Sequence, residues 1–153
     1  MEHGIEIHLI KGDEYQFAKI DAIAQFHVVR RLAPLIGELF PIFSKDKFKD
    51  GVNGIKEEAL EELKPLLDVF SKLPDADLEY CIFALCKKVY KKNLIGGGWA
   101  PIINAANGFQ FVEMKTDLAL VMQITAKALG VNLSGFINAL PTSLNVGAPQ
   151  IVK

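Results

Sequence analysis

A segment that is apolar around its whole circumference, Leu118 to Leu129, constrains the fold of this chain more than any other feature. Thr116 or Asp117 is placed to cap the start of this predicted helix, and Gly130 fits its C-terminal cap. A helix without a polar face is buried inside a protein. With 153 residues, half of them hydrophobic, the chain is long enough to bury such a helix in a real core.

The N-terminal residues alternate between apolar and polar side chains. Ile5, Ile7 and Leu9 alternate with Glu6 and His8. After Lys11 and Gly12, the apolar side chains Tyr15 and Phe17 follow at the same spacing of two. Alternation of this kind on both sides of a glycine predicts a β-hairpin with its turn at Gly12.

Helical spacing dominates the remainder of the chain. The first predicted helix runs from Ala22 to Phe40, with Asp21 as its cap and Pro34 and Gly37 kinking or dividing it. Further helices are predicted over Ile55 to Leu73 (broken at Pro65), from Leu78 to near Asn93 with Asp75 or Asp77 as cap, and over Leu133 to Leu140. Residues 95–114 are predicted to form loops, with room for one short strand.

These elements predict a mainly α fold, a single helical domain over residues 1–153 with a small N-terminal β-hairpin. Residues 1–20 form the hairpin arm, residues 21–140 the helical body, and residues 141–153 an irregular tail. The sequence contains no internal repeat and no domain linker.

Several classes of function are disfavoured by composition. No apolar run approaches the roughly 20 residues that cross a bilayer, and Met1 to Gly4 do not begin a signal peptide, so we expect a cytoplasmic protein without a membrane partner. The net charge of −1 gives no field to attract nucleic acid. Cys81 and Cys86 lack the spacing and the second pair of a zinc site, and we expect both to be buried thiols.

Motifs for catalysis or cofactor binding do not form a convincing set. The carboxylates of Glu57 to Glu62 are best explained as a solvated helix face, and Gly96 to Gly98 as a hinge rather than a phosphate loop. His3, His8 and His27 have no nucleophile elbow beside them. We therefore predict no catalytic residue, no metal and no cofactor, although an uncharacterised enzyme stays open as a third alternative.

Four lysines offer the best alternative function. They are Lys87, Lys88, Lys91 and Lys92, and Tyr90 lies between them. A basic helix end with an aromatic side chain would suit a small helical regulator that binds nucleic acid. Because the cluster is small and no helix-turn-helix spacing is present, a solvated helix end is the favoured interpretation.

The segment FHVVRRLAPL, from Phe26 to Leu35, is the motif with the most information about function. Its helical spacing puts Phe26, Val29, Leu32 and Ala33 on one face, with the two arginines towards the other. A guanidinium beside an apolar face can hold a partner's carboxylates or carbonyls, and the alternative is an intramolecular ion pair. The predicted partner-binding residues are Phe26, Arg30, Arg31 and Leu35.

This motif, behind its N-terminal arm, resembles the small tail assembly chaperones of long-tailed bacteriophages and prophages. The likeness extends through Trp99 and Phe109–Phe111 to the ending FINALP at Phe136 to Pro141. It implies a non-enzymatic protein of the host cytoplasm that binds the tape measure protein, keeps its apolar helices soluble, and gives way to the tail tube protein. A homo-oligomer is compatible with it. The insert from Ser44 to Gly54 does not match the family pattern.

Overall fold

A computed structural model describes residues 5–39 and 64–139 of the chain, including the backbone alone of residues 134–139. The insert from Ser44 to Gly54, the carboxylates of Glu57 to Glu62 and the tail from residue 141 lie outside the described residues. The described strands are β1 (Ile5–Ile10), β2 (Asp13–Ala18), β3 (Val89–Lys92) and β4 (Trp99–Pro101). The helices are α1 (Ala22–Leu32), α2 (Lys64–Phe70), α3 (Asp75–Cys86) and α4 (Leu118–Ala139), with 3₁₀ turns over Ala33–Leu35 and Val112–Lys115.

The four strands form one antiparallel sheet in the order β1-β2-β3-β4. Strand β2 pairs with β1 on one side and, across a long stretch of sequence, with β3 on the other, where Phe17 lies opposite Val89. The prediction of a mainly α domain with a small hairpin arm is therefore wrong. The hairpin is half of a sheet against which helix α4 packs, and the fold is α+β.

The turn of the N-terminal hairpin is confirmed at its predicted position. Only Lys11 and Gly12 separate the two strands, and Ile10 lies opposite Asp13. Both turn residues have positive φ, 50° at Lys11 and 87° at Gly12, as a two-residue type I′ turn requires. The glycine accepts this conformation without the steric cost that a side chain would add.

Strand β3 occupies the segment that the lysine pattern assigned to a helix end. Helix α3 stops at Cys86, and Lys91 faces the same side of the sheet as the buried Tyr15 opposite it. The Lys91 ammonium lies 2.6 Å from a Glu113 carboxylate oxygen and 3.6 Å from one of Asp13. These two carboxylates offset the cost of partly burying the Lys91 charge on the inner face. Because a lysine takes the place of an apolar residue there, the segment lacks the apolar alternation that would have predicted a strand.

The two faces of the sheet differ in burial. Tyr15, Phe17 and Val89 are buried on the inner face, against helix α4. On the outer face, Ile7 is 54% exposed and Leu9 is 64% exposed. Ile7 and Leu9 therefore point away from the core, because the register of β1 with β2 puts them on the face opposite to Phe17, whereas Ile10 lies on the inner face and is buried.

Helix α4 is the buried helix that the sequence predicts, but it is longer. Asp117 caps it, since its carboxylate accepts a hydrogen bond of 3.1 Å from the Leu120 N–H. The helix continues past Gly130 to Ala139, so the predicted cap at Gly130 and the separate last helix are wrong. A glycine inside a helix costs about 1 kcal/mol, and burial of neighbours such as Leu129 and Leu133 outweighs it.

Two other helix starts differ from the predicted caps. Asp21 occupies the cap position of α1, but its side chain makes no capping hydrogen bond. At α3 the cap residue is Pro74, and Asp75 and Asp77 lie in the first turn, where their charges favour the helix dipole. The predicted break at Pro34 is confirmed as the 3₁₀ turn, after which residues 36–39 are again helical.

A buried amide fixes the start of α1 to α4. The side-chain oxygen of Asn132 accepts a hydrogen bond of 2.8 Å from the Ile20 N–H, and its amide nitrogen donates to the Ala128 carbonyl at 2.9 Å. Gln25 donates a hydrogen bond of 3.0 Å to the Ile20 carbonyl. Both Ile20 and Asn132 are buried, so these bonds satisfy backbone groups that water does not reach.

One charged group lies within helix α4. Lys127 is 5% exposed, and its ammonium is 3.3 Å from a carboxylate oxygen of Glu6, which also contacts the His8 imidazole at 2.9 Å. Partial burial of the Glu6 carboxylate raises its pKa, but the His8 hydrogen bond and the Lys127 charge outweigh this, so the net pKa is lowered. This contact joins β1 to α4 across the inner face of the sheet.

Candidate functional site on helix α1

Helix α1 carries an exposed apolar ridge, formed by Ile23 and Phe26. They are three residues apart and therefore lie on one face of the helix. Ile23 is 69% exposed and Phe26 is 58% exposed, whereas Val28 and Leu32 form the buried face. The prediction that Phe26 and Leu32 share one apolar face is therefore wrong, because Leu32 alone of the two enters the core.

A groove runs beside this ridge. It is lined by Ala22, Gln25, Phe26, Val29 and Leu133, and its volume is about 340 Å³. Leu133 belongs to α4, so the groove is the valley between the two helices. Pattern reasoning missed Ile23 and Leu133. The three-residue spacing between Ile23 and Phe26 could have predicted that they share a helix face. Nothing in the sequence indicated that Leu133 lies beside α1.

The opposite side of α1 borders a second cavity, of about 440 Å³. Its walls come from the start of α1 and the end of α3, and they include Ala24, Tyr80, Phe83 and Lys87. Lys87 donates a hydrogen bond of 3.1 Å to the Asn107 side chain at the rim. The α1 ridge thus stands between two concave surfaces.

Arg30 lies on the exposed side of α1, one turn after Phe26. Its Nε donates a hydrogen bond of 3.1 Å to Nδ1 of His27, and the His27 ring lies 5.9 Å from the Phe26 ring between centroids. The Arg30 guanidinium has no ion pair among the residues that the structure describes. Its position leaves a charge beside the apolar ridge.

Arg31 points the other way, into the contact between α1 and α3. Its guanidinium lies 3.9 Å from the centroid of the Tyr80 ring, and its Nε is 3.3 Å from a carboxylate oxygen of Asp77. It also donates a hydrogen bond of 3.0 Å to the His27 carbonyl. These contacts are intramolecular, and they join the two helices.

The four predicted partner-binding residues therefore do not form one surface. Phe26 and Arg30 are exposed along the same side of α1, Arg31 is half-buried, and Leu35 is buried in the core. The ridge with Arg30 is available to another molecule. Leu35 lies in the 3₁₀ turn that follows α1, and its side chain belongs to the core.

Separate replacement of the two arginines is expected to divide their roles. Arg31→Ala should lower the free energy of unfolding by about 1–2 kcal/mol, because a guanidinium stacked on an aromatic ring and partly desolvated is lost. Arg30→Ala should change it by less than about 0.5 kcal/mol, as expected of an exposed side chain. Urea unfolding followed by circular dichroism measures both. Equal losses would contradict the assignment of Arg31 to the helix contact.

Chemically reactive groups are few in the described residues. No cluster of three or more potential metal ligands occurs in residues 5–39 and 64–139. Cys81 and Cys86 are confirmed as buried thiols, and burial raises their pKa values to about 11 and about 12. Both are therefore protonated near neutral pH and poor nucleophiles. None of the described helices has the length and hydropathy needed to cross a bilayer.

The four lysines of the alternative nucleic-acid site are dispersed by the fold. Lys87 and Lys88 follow α3, whereas Lys91 and Lys92 belong to strand β3. Lys91 contacts Glu113 and Asp13, and Lys92 lies 3.8 Å from a Glu14 carboxylate oxygen. The predicted helix end with all four lysines does not form, and the two lysines on the strand lie beside carboxylates.

Comparison with known proteins gives one family match. The model of the family described as "Phage tail assembly chaperone protein, TAC" matches residues 11–145, which is all but the first ten and last eight residues. Searches of curated proteins and of solved structures gave no match. The matched range contains α1, both concave surfaces beside it and the whole of α4. The chain therefore belongs to the phage tail assembly chaperone family.

Proposed function

We propose that this protein binds the tape measure protein of its phage and keeps it soluble until tail tube protein assembles around it. The observation that carries the proposal is the exposed apolar ridge of α1 beside a groove, in a member of a chaperone family. The role is non-enzymatic and belongs in the cytoplasm of the bacterial host. No nucleotide, metal or other cofactor takes part.

An apolar helix is the ligand that this surface fits best. Helices dock into grooves through side chains spaced three or four residues apart, and the valley between α1 and α4 is lined mainly by apolar groups. Phe26 forms one wall of that valley and also part of the ridge, so it would meet the partner on two sides. Aromatic residues at the centre of such contacts contribute most of the binding energy.

Arg30 would add direction to the contact. Its guanidinium lies beside the ridge and presents several N–H donors in a planar arrangement. Carboxylates on a partner helix, or the free carbonyls at its C-terminal end, accept such hydrogen bonds. Because Arg31 is engaged with Tyr80 and Asp77, we assign this role to Arg30 alone.

Protection would follow mass action. A chaperone of this kind covers surface that would otherwise self-associate, so protection should rise with its molar ratio to the partner. The effect should persist in a chelator and without added nucleotide. Tail tube protein would displace the chaperone by competing for the same partner.

Co-expression with the tape measure protein of the same phage tests the proposal. The soluble fraction of the tape measure protein should rise when this chain is present, and the two should elute as one complex in size-exclusion chromatography. Phe26→Glu should weaken the complex about 30-fold or more, because a hot-spot side chain contributes roughly 2 kcal/mol or more. Within α1, the new carboxylate lies four residues before Arg30, a spacing that favours the helix.

The matched control is Val112→Glu, which puts the same charge on another exposed apolar side chain, in the 3₁₀ turn before α4. It should leave binding unchanged. If the wild-type chain neither raises the solubility of the tape measure protein nor forms a complex with it, the proposed partner is wrong. If both variants bind as wild type, the α1 ridge is not the binding surface.

A further inference from the structure

Strand β1 forms one edge of the sheet, and its outward side is unpaired among the described residues. It is six residues long and contains no proline, no bulge and no lysine, three of the features that keep an edge strand from pairing with another chain. Its one charged side chain, Glu6, points to the inner face, where Lys127 and His8 contact it. Its outer-face side chains Ile7 and Leu9 are more than half exposed. No other described strand pairs with this edge, so within residues 5–39 and 64–139 it is open to another strand.

The hydrogen-bond pattern of the hairpin shows which residues point to the free edge. The two-residue turn makes Ile10 and Asp13 a hydrogen-bonded pair, and such pairs alternate along an antiparallel ladder. Ile5 and Ala18 therefore form a pair without mutual hydrogen bonds. Consistently, the Ala18 N–H turns away from β1 and donates to the Lys88 carbonyl at 3.1 Å. The odd-numbered residues Ile5, Ile7 and Leu9 thus direct their N–H and C=O groups outward.

This alternation of outward-pointing and inward-pointing backbone groups restricts how a second copy of β1 could pair antiparallel with the first. Outward-pointing residues must face outward-pointing residues, because only they have backbone groups to exchange. Among such registers, the one with Ile7 opposite Ile7 aligns the whole strand. It also places Ile5 of each copy opposite Leu9 of the other. Every outward backbone group of the strand then finds a partner.

The side chains agree with the same register. On the outer face, the apolar residues of both strands form one continuous row, which removes exposed Ile7 and Leu9 from water. On the inner face, Glu6 of one copy lies opposite His8 of the other, at the closer type of cross-strand position. Both side chains already have partners within each copy, because the Glu6 carboxylate contacts its own His8 at 2.9 Å and Lys127 at 3.3 Å, so this position is compatible with the register but does not select it. The strand is therefore complementary to itself in its outward backbone groups and in its outer-face apolar side chains.

We propose that two copies of this protein associate through antiparallel pairing of their β1 strands, with Ile7 opposite Ile7, into one continuous eight-stranded sheet. The contact has two-fold symmetry and uses the same strand edge of both copies, so it joins two copies and no more. It lies on the sheet, so it does not depend on the α1 ridge or on the tape measure protein. Its success or failure is distinguishable from that of the proposed function.

Sedimentation of the full chain over a concentration series tests the association. The wild-type chain should pass from monomer to dimer with increasing concentration. Ile7→Lys should weaken the dimer at least tenfold, because two like charges would then lie directly opposite each other at the centre of the contact. Phe26→Glu is the matched control, since it also charges an exposed apolar residue, and it should leave the dimer unchanged. A wild-type monomer at every concentration, or equal dimerisation of Ile7→Lys, would overturn the proposal.

Cysteine cross-linking tests the register. In Ile7→Cys the two new cysteines would have Cα atoms about 5.5 Å apart, within the range of a disulfide, so mild oxidation should give a covalent dimer. In Leu9→Cys they would be more than about 13 Å apart, and cross-linking should be slow. The native Cys81 and Cys86 are buried and do not interfere. Cross-linking of Leu9→Cys as fast as Ile7→Cys would refute this register.

Discussion

Phe17→Ala is expected to lower the free energy of unfolding by about 3–5 kcal/mol, as removal of a fully buried aromatic side chain does. Phe17 is completely buried at the centre of the sheet, opposite Val89 and on the face that packs against α4. For a chain of this size the melting temperature should fall by roughly 6–20 °C. Thermal unfolding followed by circular dichroism measures the effect. In a hairpin that formed only a separate arm, the same change would leave the helical transition in place.

Ile7→Ala is the matched control for this experiment. Ile7 lies on the same hairpin but on the exposed outer face, so its truncation should change stability by less than about 0.5 kcal/mol. Both proteins are measured in dilute solution, where a contact between copies contributes little. A large loss from Ile7→Ala together with a small one from Phe17→Ala would mean that the two faces of the sheet are assigned the wrong way round.

Asn132→Ala is expected to cost about 2–3 kcal/mol of stability, because it leaves the buried Ile20 N–H without an acceptor and removes two hydrogen bonds. The contact joins the start of α1 to α4 over a sequence separation of 112 residues. Its loss should therefore loosen the whole start of α1. Hydrogen exchange of the α1 amides, measured alongside urea unfolding, should report this local opening.

Gln25→Ala provides the comparison. Its side-chain amide donates to the Ile20 carbonyl, but this position is only partly buried, and water can replace the bond. The expected cost is about 1 kcal/mol or less. Since Gln25 also approaches the Asn132 oxygen at 3.4 Å, the double variant should lose less than the sum of the two single changes. Strict additivity would indicate two independent contacts.

The candidate site was predictable in part. Phe26 and Arg30 came from the motif, and the structure places both on the exposed side of α1. The same motif predicted Arg31 as a partner-binding residue, but spacing along the helix does not show whether its side chain faces solvent or another helix. Adjacent residues on a helix point about 100° apart, and only the position of α3, with Tyr80 and Asp77, determines which arginine is inside.

Local sequence was sufficient for features that depend on neighbouring residues. The turn at Gly12 follows from a residue type that tolerates positive φ, and the start of α4 follows from a carboxylate at Asp117 that satisfies free amides. The break at Pro34 follows from the ring that prevents a regular helix from continuing. In each case the free energy that decides the conformation arises within a few residues.

Long-range pairing decided the rest. Val89 to Lys92 form a strand because they pair with β2 and because Asp13 and Glu113 form ion pairs with Lys91. These partners are all distant from the strand in sequence. The outward orientation of Ile7 and Leu9 follows from their register with β2, and α4 passes through Gly130 because its surroundings are buried. The sequence by itself determined the turn at Gly12, the cap at Asp117 and the break at Pro34, since each depends on nearby residues, and its motifs indicated the family. Only the tertiary structure decided the sheet and the faces of its strands, since a segment with weak local preference takes the conformation that its distant partners stabilise.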